Sequence, residues 1–464
     1  MSPQPVVPDL AAVGLGGGAR PATSVGAWPV SQPTAWYGLG VLTLVALFAT
    51  VDRAIFGLVA EPIRIALNIS DTQLGLLQGV GGILVMSIAA FPIGWLADRL
   101  GRRWVLAAGV LVWSAACLAR GFATNFEQLF AATLLLFAGE AGVVPCIYGM
   151  IPGLFPRERR IFANSVYVVS LYIAAAAGLA ACGALVSWLA VAQHQLPFGL
   201  HKVDTWRVAF AILAMPGPLV ALLLVTMRIA KNGPKEAADD GASTEAPSAI
   251  SQIALLPYLR ANWMTVSCVA VGSGVIAMGA ALRLWAPLIA ARVFHATPVE
   301  IGTGLGVTGV VGWVVGLGVT ALITRRYAAK LGARFPMRVL WVGGMASAAL
   351  SLAMLFSGNA TVFFILLGLQ AMIEACGSIV SPTLLQDLGP AHLRSRLISL
   401  CVVVAMAINS ISPVLVGMIS DSMKSAPNGL LVAAVIVGVL GTGLACLIFA
   451  VAERPFKRTV DALA

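Results

Sequence analysis

The sequence predicts an all-α polytopic membrane protein with about twelve transmembrane helices in two pseudo-symmetric six-helix bundles. Three observations predict it. Only 10% of the 464 residues are charged and 59% are hydrophobic. Soluble domains carry about 25% charged residues, so this chain cannot cover a water-facing surface. Apolar runs of about 20 residues recur along the whole length, each long enough to cross a bilayer as a helix. They do not alternate, which argues against a transmembrane barrel. Finally, a shift of 234 residues carries Glu140 onto Glu374, Ala141 onto Ala375, Pro156 onto Pro390, Arg160 onto Arg394 and Ser165 onto Ser399. Five matches in one register, at equivalent topological positions, point to two parallel halves.

The elements follow in order. Residues 1–34 are rich in Pro, Gly, Ala and Ser and lack a basic start followed by an apolar core. They read as a disordered cytoplasmic tail, not a cleaved signal peptide. Residues 35–229 form the first bundle, with spans near 36–60, 73–97, 104–123, 128–152, 162–190 and 206–229. Residues 230–256 contain "KNGPKEAADDGASTEAPSA", which is polar, helix-breaking and charged with both signs, and read as a cytoplasmic linker. Residues 257–452 form the second bundle, with spans near 260–291, 300–323, 337–357, 361–386, 395–420 and 428–452. Residues 453–464 read as a second cytoplasmic tail.

Orientation follows from short-loop Lys and Arg. Arg99, Arg102 and Arg103 follow the second span, and Arg157, Arg159 and Arg160 the fourth. Arg325, Arg326, Lys330, Arg334 and Arg338 follow the eighth, and Arg394 and Arg396 the tenth. The intervening loops are poorer in basic residues, so both termini are expected in the cytoplasm. The net charge of +10 fits loops facing anionic lipid, with no aromatic-interleaved patch for nucleic acid.

"GWLADRLGRR", residues 94–103, collects charge between two apolar runs. Gly94 offers a close approach to a neighbouring helix. Asp98, one turn later on the same face, can receive backbone N–H groups from the positive end of another helix. Arg99, Arg102 and Arg103 can hold carboxylates, helix C-termini or lipid phosphate. Gly101 permits the tight turn. With Arg160 and Arg394, these residues are expected to form a cytoplasmic latch between the bundles.

This stretch resembles the loop signature of the major facilitator superfamily between its second and third helices. Finer marks resemble the Spinster-like branch. They are Asp52 and Arg53, then Glu61, Pro62 and Ile63, then "SDTQLGLLQG" from Ser70 to Gly79. They continue with Gly139, Glu140 and Ala141, with Pro145 five residues after Glu140, and with Trp285 and Pro287. Thr133 stands where the branch commonly has an Arg, Met86 where it often has a Tyr, and the second-half loop copy keeps Arg325 and Arg326 without an Asp. The fifth span lacks the Gly-Pro pair of the drug–proton antiporter branch. The resemblance implies a secondary transporter in which the first, fourth, seventh and tenth helices line a central cavity.

Five ionisable side chains lie well inside the predicted spans: Asp52, Arg53, Glu140, Arg283 and Glu374. A charge at a helix centre costs about 2.5–3.5 kcal/mol on insertion scales, so such groups face the protein interior or a wet cavity and pair. At 1.5 Å per residue, Asp52 lies about 25 Å along its outward-running helix and Glu140 about 18 Å below the outer side, so they can meet. Arg53 and Arg283 are expected to attract an anionic head group. Glu140 is expected to take a proton when substrate takes over Arg53, with Asp52 orienting Arg53 or sharing that proton and Glu374 mirroring Glu140.

The expected activity is secondary transport of an amphipathic or organic anion by alternating access, coupled to protons. A multidrug or sugar-acid carrier is the alternative, and a non-transporting sensor or scaffold the alternative from another class. Neither a nucleophile–base pair nor a phosphate loop is visible, so no enzyme is expected. The 7 Cys and 4 His show no ligand spacing, so neither metal nor cofactor is expected. The expected partners are a small-molecule substrate, protons and membrane lipid. The chain is expected as a monomer in a bacterial inner membrane or a plasma membrane.

Overall fold

The computed structural model describes residues 28–192, 203–229, 256–386, 388–389 and 393–461. Its described secondary structure is helical, and twelve helices are long and apolar enough to span a membrane. We number them α1 (Gln32–Leu67), α2 (Asp71–Leu100), α3 (Arg102–Phe122), α4 (Phe126–Gly153), α5 (Arg157–Ala192) and α6 (Thr205–Thr226). The second set is α7 (Trp263–Val293), α8 (Pro298–Leu331), α9 (Phe335–Phe356), α10 (Ala360–Gln386), α11 (Arg394–Ser422) and α12 (Gly429–Asp461). The two sets pack alike. α1 lies on α5 as α7 lies on α11, and α3 contacts α4 and α6 as α9 contacts α10 and α12.

The turns set two reference ends. At one end Asn68 closes α1 with left-handed backbone (φ 50°), and α2 starts in a capping box. There the Ser70 hydroxyl accepts the Gln73 N–H while the Gln73 side chain accepts the Ser70 N–H. This explains the start of "SDTQLGLLQG". At the other end Gly101 (φ 94°) turns α2 into α3, a backbone conformation that favours glycine.

Several helices are interrupted where the sequence weakens them. α2 widens into a π-helical stretch over Gly79–Leu84, the segment "GVGGIL". α6 breaks at Met215, ahead of Pro216, and α7 passes through a short 3-10 segment at Met278–Ala280. Helix breaks are tolerated in membrane bundles where neighbouring protein satisfies the backbone.

The bundles meet along two seams near the Asn68 end. α2 lies against α11, and α5 against α8. Glycine makes both possible. A methyl group at Gly75, Gly79 or Gly417 would collide with the backbone oxygens of Pro413, Ser410 or Asp71. One at Gly183, Gly302 or Gly306 would meet those of Pro298, Leu179 or Ala176. Small residues that let helix backbones touch are the usual membrane packing device.

Some sequence expectations change. The first tail is shorter, because helix begins at Gln32, with Pro33 in its first turn, where proline is well tolerated. The last tail is helical through Asp461, because Phe456 is buried, Glu453 pairs with Arg338, and Lys457 pairs with Asp461 one turn on. Trp206, at the start of α6, is buried at 1% exposure, with its ring edge-on to Phe210. Residues 230–255 of the expected linker 230–256, and residues 1–27 and 462–464, lie outside the described residues.

Candidate functional site

A central cavity of about 390 Å³ lies between the bundles. Its walls are mostly apolar, with Phe56, Leu77, Phe137 and Leu179 from the first bundle and Leu305 and Leu367 from the second. Asp52, Arg53, Arg120 and Arg283 bring charge to it.

Arg53 on α1 reaches Glu140 on α4, with Nη1 to Oε2 at 3.1 Å. The arginine side chain is 44% exposed and the glutamate 1%, so the cation faces the cavity and its partner lies behind it. Glu140 Oε1 is buried without a hydrogen-bond partner. The same Nη1 lies 3.9 Å from the Met86 sulfur.

Asp52 turns the other way. Its Oδ2 pairs with Arg120 Nη1 at 3.0 Å, and both side chains are almost wholly enclosed. Cys117 Sγ donates to Asp52 Oδ1 at 3.1 Å, and Arg120 Nε donates to Thr133 Oγ1 at 3.2 Å. The rings of Phe56, Phe137 and Phe210 stand 5.3–5.8 Å from the guanidinium centre. Cations over ring faces are stabilised there, more so when desolvated. Asp52 therefore belongs to a packed ionic core and orients Arg120, not Arg53.

The second bundle holds a related pair, Arg283 on α7 with Glu374 on α10. Both are partly exposed, and Glu374 Oε1 also lacks a partner. Deeper, Gln370 Nε2 donates to Ser347 Oγ at 3.1 Å and to the Gly279 carbonyl at 3.3 Å.

The residues expected to form a latch sit at the Gly101 end. Asp98 pairs with Arg102 one turn on at 2.9 Å, and Arg102 also donates to the Gly149 carbonyl. Arg103 donates to the Met227 carbonyl at 2.5 Å, and Arg160 to the Phe155 carbonyl at 3.3 Å. Arg99 lies over the Trp95 ring at 3.9 Å, and Arg394 is exposed at the start of α11. Each of these contacts stays within the first bundle, because the partners lie within reach on α2 and α4 and just past the ends of α4 and α6. Gly94 has open space where a neighbouring helix was expected.

A second group of charges, at the Asn68 end, does cross between bundles. Arg292 of α7 holds Asp71 through two bonds of 2.7 and 2.8 Å and Glu61 at 2.5 Å. Asp421 of α11 accepts the N–H groups of Asp71 and Thr72 at 3.1 and 2.9 Å and the Thr72 hydroxyl at 2.6 Å. The Ser420 hydroxyl donates to Asp71 at 2.7 Å. Sequence reasoning marked Glu61 and the stretch holding Asp71 only by resemblance, and passed over Arg292, Ser420, Asp421 and Arg120. Arg120 lies three residues from the predicted end of its span, and only its i, i+3 spacing from Cys117 hints at a shared polar face. Among the described residues no His, Cys, Asp and Glu cluster could hold a metal ion.

A family model described as Major Facilitator Superfamily matches residues 42–346. The chain is 26% identical over 395 residues to an MFS-type efflux pump of Mycolicibacterium smegmatis, covering 84% of this chain and 85% of that protein. It is 28% identical over 443 residues to Protein spinster homolog 1 of Xenopus laevis, covering 87% and 78%. Among solved structures, a bacterial homolog of the human lysosomal transporter Spinster, inward-facing and unoccupied, matches with a TM-score of 0.72. That match has 21% identity and covers 94% of this chain and 98% of the other.

Proposed function

The chain belongs to the major facilitator superfamily and is a Spinster-like member, and from that premise we propose that it moves an amphipathic or organic anion by proton-coupled alternating access. It is an integral, multi-pass transporter. What goes further is the substrate and its coupling.

The observation that carries this reading is the pair of cavity-facing arginines on opposite bundles. Arg53 and Arg283 each present a guanidinium to the cavity and are each held from behind by a glutamate with a free oxygen. Guanidinium groups bind carboxylate and phosphate through paired bonds. The apolar walls suit a hydrocarbon portion of the same molecule. One anion reaching both arginines ties the bundles together across the cavity.

Coupling follows from competition. While the cavity is empty, Glu140 neutralises Arg53. An anionic substrate that takes Arg53 leaves Glu140 enclosed without its cation, and an unpaired buried charge is costly. Protonation removes that cost. Substrate and proton then travel together, or the reverse step releases both. Positive loop charge supports a cytoplasmic Gly101 end, and with it cytoplasmic termini.

The test is flux in proteoliposomes with an imposed pH gradient, against a panel of lysolipids and organic acids. Saturable flux of an anion that dissipates the gradient supports the proposal. Flux of neutral or cationic compounds alone, or anion flux indifferent to the gradient, overturns it.

A further inference from the structure

Few polar side chains reach the central cavity, and most have little left to offer a ligand. Arg53 and Arg283 are the anion grips of the transport reading. Asp52 and Arg120 are spent on each other in an enclosed pair. The neutral polar residues on the wall are Thr50, Gln78 and Thr308. Thr50 donates its hydroxyl proton to the Ala46 carbonyl at 2.8 Å, and Thr308 donates its own to the Gly304 carbonyl at 2.6 Å. Each threonine can then only accept. Gln78 differs. Its amide carries two donors and an acceptor, and among the described residues its side chain has no hydrogen-bond partner.

The fold holds Gln78 at the cavity. On either side of it, Gly75 and Gly79 lie against the backbone oxygens of Pro413 and Ser410 on α11, too close for a methyl group. α2 cannot turn there without losing that seam. Directly after Gln78 the helix widens into its π-helical stretch, where Gly82 and Ile83 also line the cavity. Such π-helical interruptions are frequent at functional sites. Depth can be measured from one contact, because Glu61 and Asp71 both bond Arg292. From there Gln78 lies seven residues along α2, Arg53 eight residues back along α1 and Arg283 nine back along α7. At 1.5 Å per residue these are about 10, 12 and 14 Å, so the amide and the two guanidinium groups stand in one layer.

We propose that Gln78 is a specificity-determining residue, whose amide receives a hydroxyl or amide group carried close to the acid group of the transported anion. The proposal rests on the transport reading of the cavity and deepens it. Two arginines and apolar walls accept amphipathic anions of many kinds. An anion with only hydrocarbon beside its acid group drives water from Gln78 and leaves the amide unpaired, which is costly. A hydroxyl or an amide both gives and takes a hydrogen bond there. The site selects by what the poorer ligand leaves unpaired.

The test measures binding of matched probes to the full chain in lipid nanodiscs by calorimetry, with the signal of empty nanodiscs subtracted. β-Hydroxyoctanoate is paired with octanoate, and N-hexanoylglycine with nonanoate. Within each pair the polar member is expected to bind the parent about tenfold more tightly. Gln78→Met, similar in length but without the amide, is expected to bring that ratio to about one. A merely structural role for Gln78 would weaken both members alike and leave the ratio unmoved. If Gln78→Met fails to fold, Gln78→Leu is read in the same way. A parent that binds both members of each pair alike overturns the proposal, as does a preference that survives loss of the amide. Arg53→Gln and Arg283→Gln distinguish this failure from that of the transport reading. Probes bound without preference, and lost from the arginine variants, remove the Gln78 subsite and keep the anion site. A Gln78-dependent preference that both arginine variants retain at full affinity keeps the subsite and removes the anion grip. Failure of all four probes to bind overturns both.

Discussion

The two bundles solve one problem in different ways. Each carries an arginine on its first helix and a glutamate on its fourth, Arg53 with Glu140 and Arg283 with Glu374. Behind these pairs they diverge. The first bundle adds a second, fully enclosed pair, Asp52 with Arg120, supported by Cys117 and Thr133. The second bundle uses neutral groups there, Gln370 with Ser347, Ser351 and the Gly279 carbonyl. The 234-residue shift carries Cys117 onto Ser351, so a thiol serving a carboxylate faces a hydroxyl serving an amide. A buried ion pair holds its geometry because separation strands two charges, and a neutral network has less to lose. On this ground the first bundle is expected to be the stiffer of the two, and the second the one better able to adjust.

The comparison can be broken most forcefully at Asp52. Asp52→Asn leaves Arg120 enclosed without a counter-charge and should cost about 3–5 kcal/mol, seen as a lower thermal midpoint in detergent. Adding Arg120→Met should recover most of that loss, because an apolar replacement of both partners is often neutral or stabilising. If Asp52→Asn unfolds no earlier than the parent, the ionic core is not what stiffens the first bundle.

Substrate affinity comes next. Arg53→Gln and Arg283→Gln each remove a charge-assisted contact of about 1.5–3 kcal/mol, so each should raise KM roughly 10- to 100-fold. Equal effects would show that both bundles grip the anion; an effect at Arg53 alone would confine the grip to the first.

A smaller, diagnostic effect is expected from the glutamates. Glu140→Gln cannot exchange a proton and should lose most of the response to a pH gradient, about tenfold in the driven flux, while exchange without a gradient persists. Glu374→Gln, whose parent side chain is already partly exposed, should lose less. The reverse ranking would move proton coupling to the second bundle.

The mildest change is Gln370→Leu. Ser351 keeps its bond to the Ser347 carbonyl, so the cost should be about 1 kcal/mol in thermal unfolding. A cost matching that of Asp52→Asn would erase the contrast between the halves.

The sequence revealed much of this because charge is rare in it. Asp52, Arg53, Glu140, Arg283 and Glu374 stood out against apolar neighbours, and the structure brings Arg53 to Glu140 and Arg283 to Glu374. Asp52 was legible as a buried charge but not as the partner of Arg120. Arg120 lies where an arginine ordinarily reaches for the interface, yet here three aromatic rings enclose it. The charges at the Asn68 end looked like loop residues, because Asp71 meets Arg292 across 221 positions and Asp421 across 350. No local spacing encodes such meetings. Gly94 failed for a related reason: a small residue permits a close approach but does not supply the neighbour.

The glycine seams carry a consequence for how the molecule tolerates change. Interlocking side chains behave like gear teeth, which must climb over one another before they disengage. At Gly75, Gly302 and Gly306 the nearest approach is backbone against bare Cα, a flat patch without teeth. Such patches are expected to slide or lift with less sideways resistance than interlocked side chains. Even the smallest residue heavier than glycine would add a tooth at that spot and wedge the patches apart.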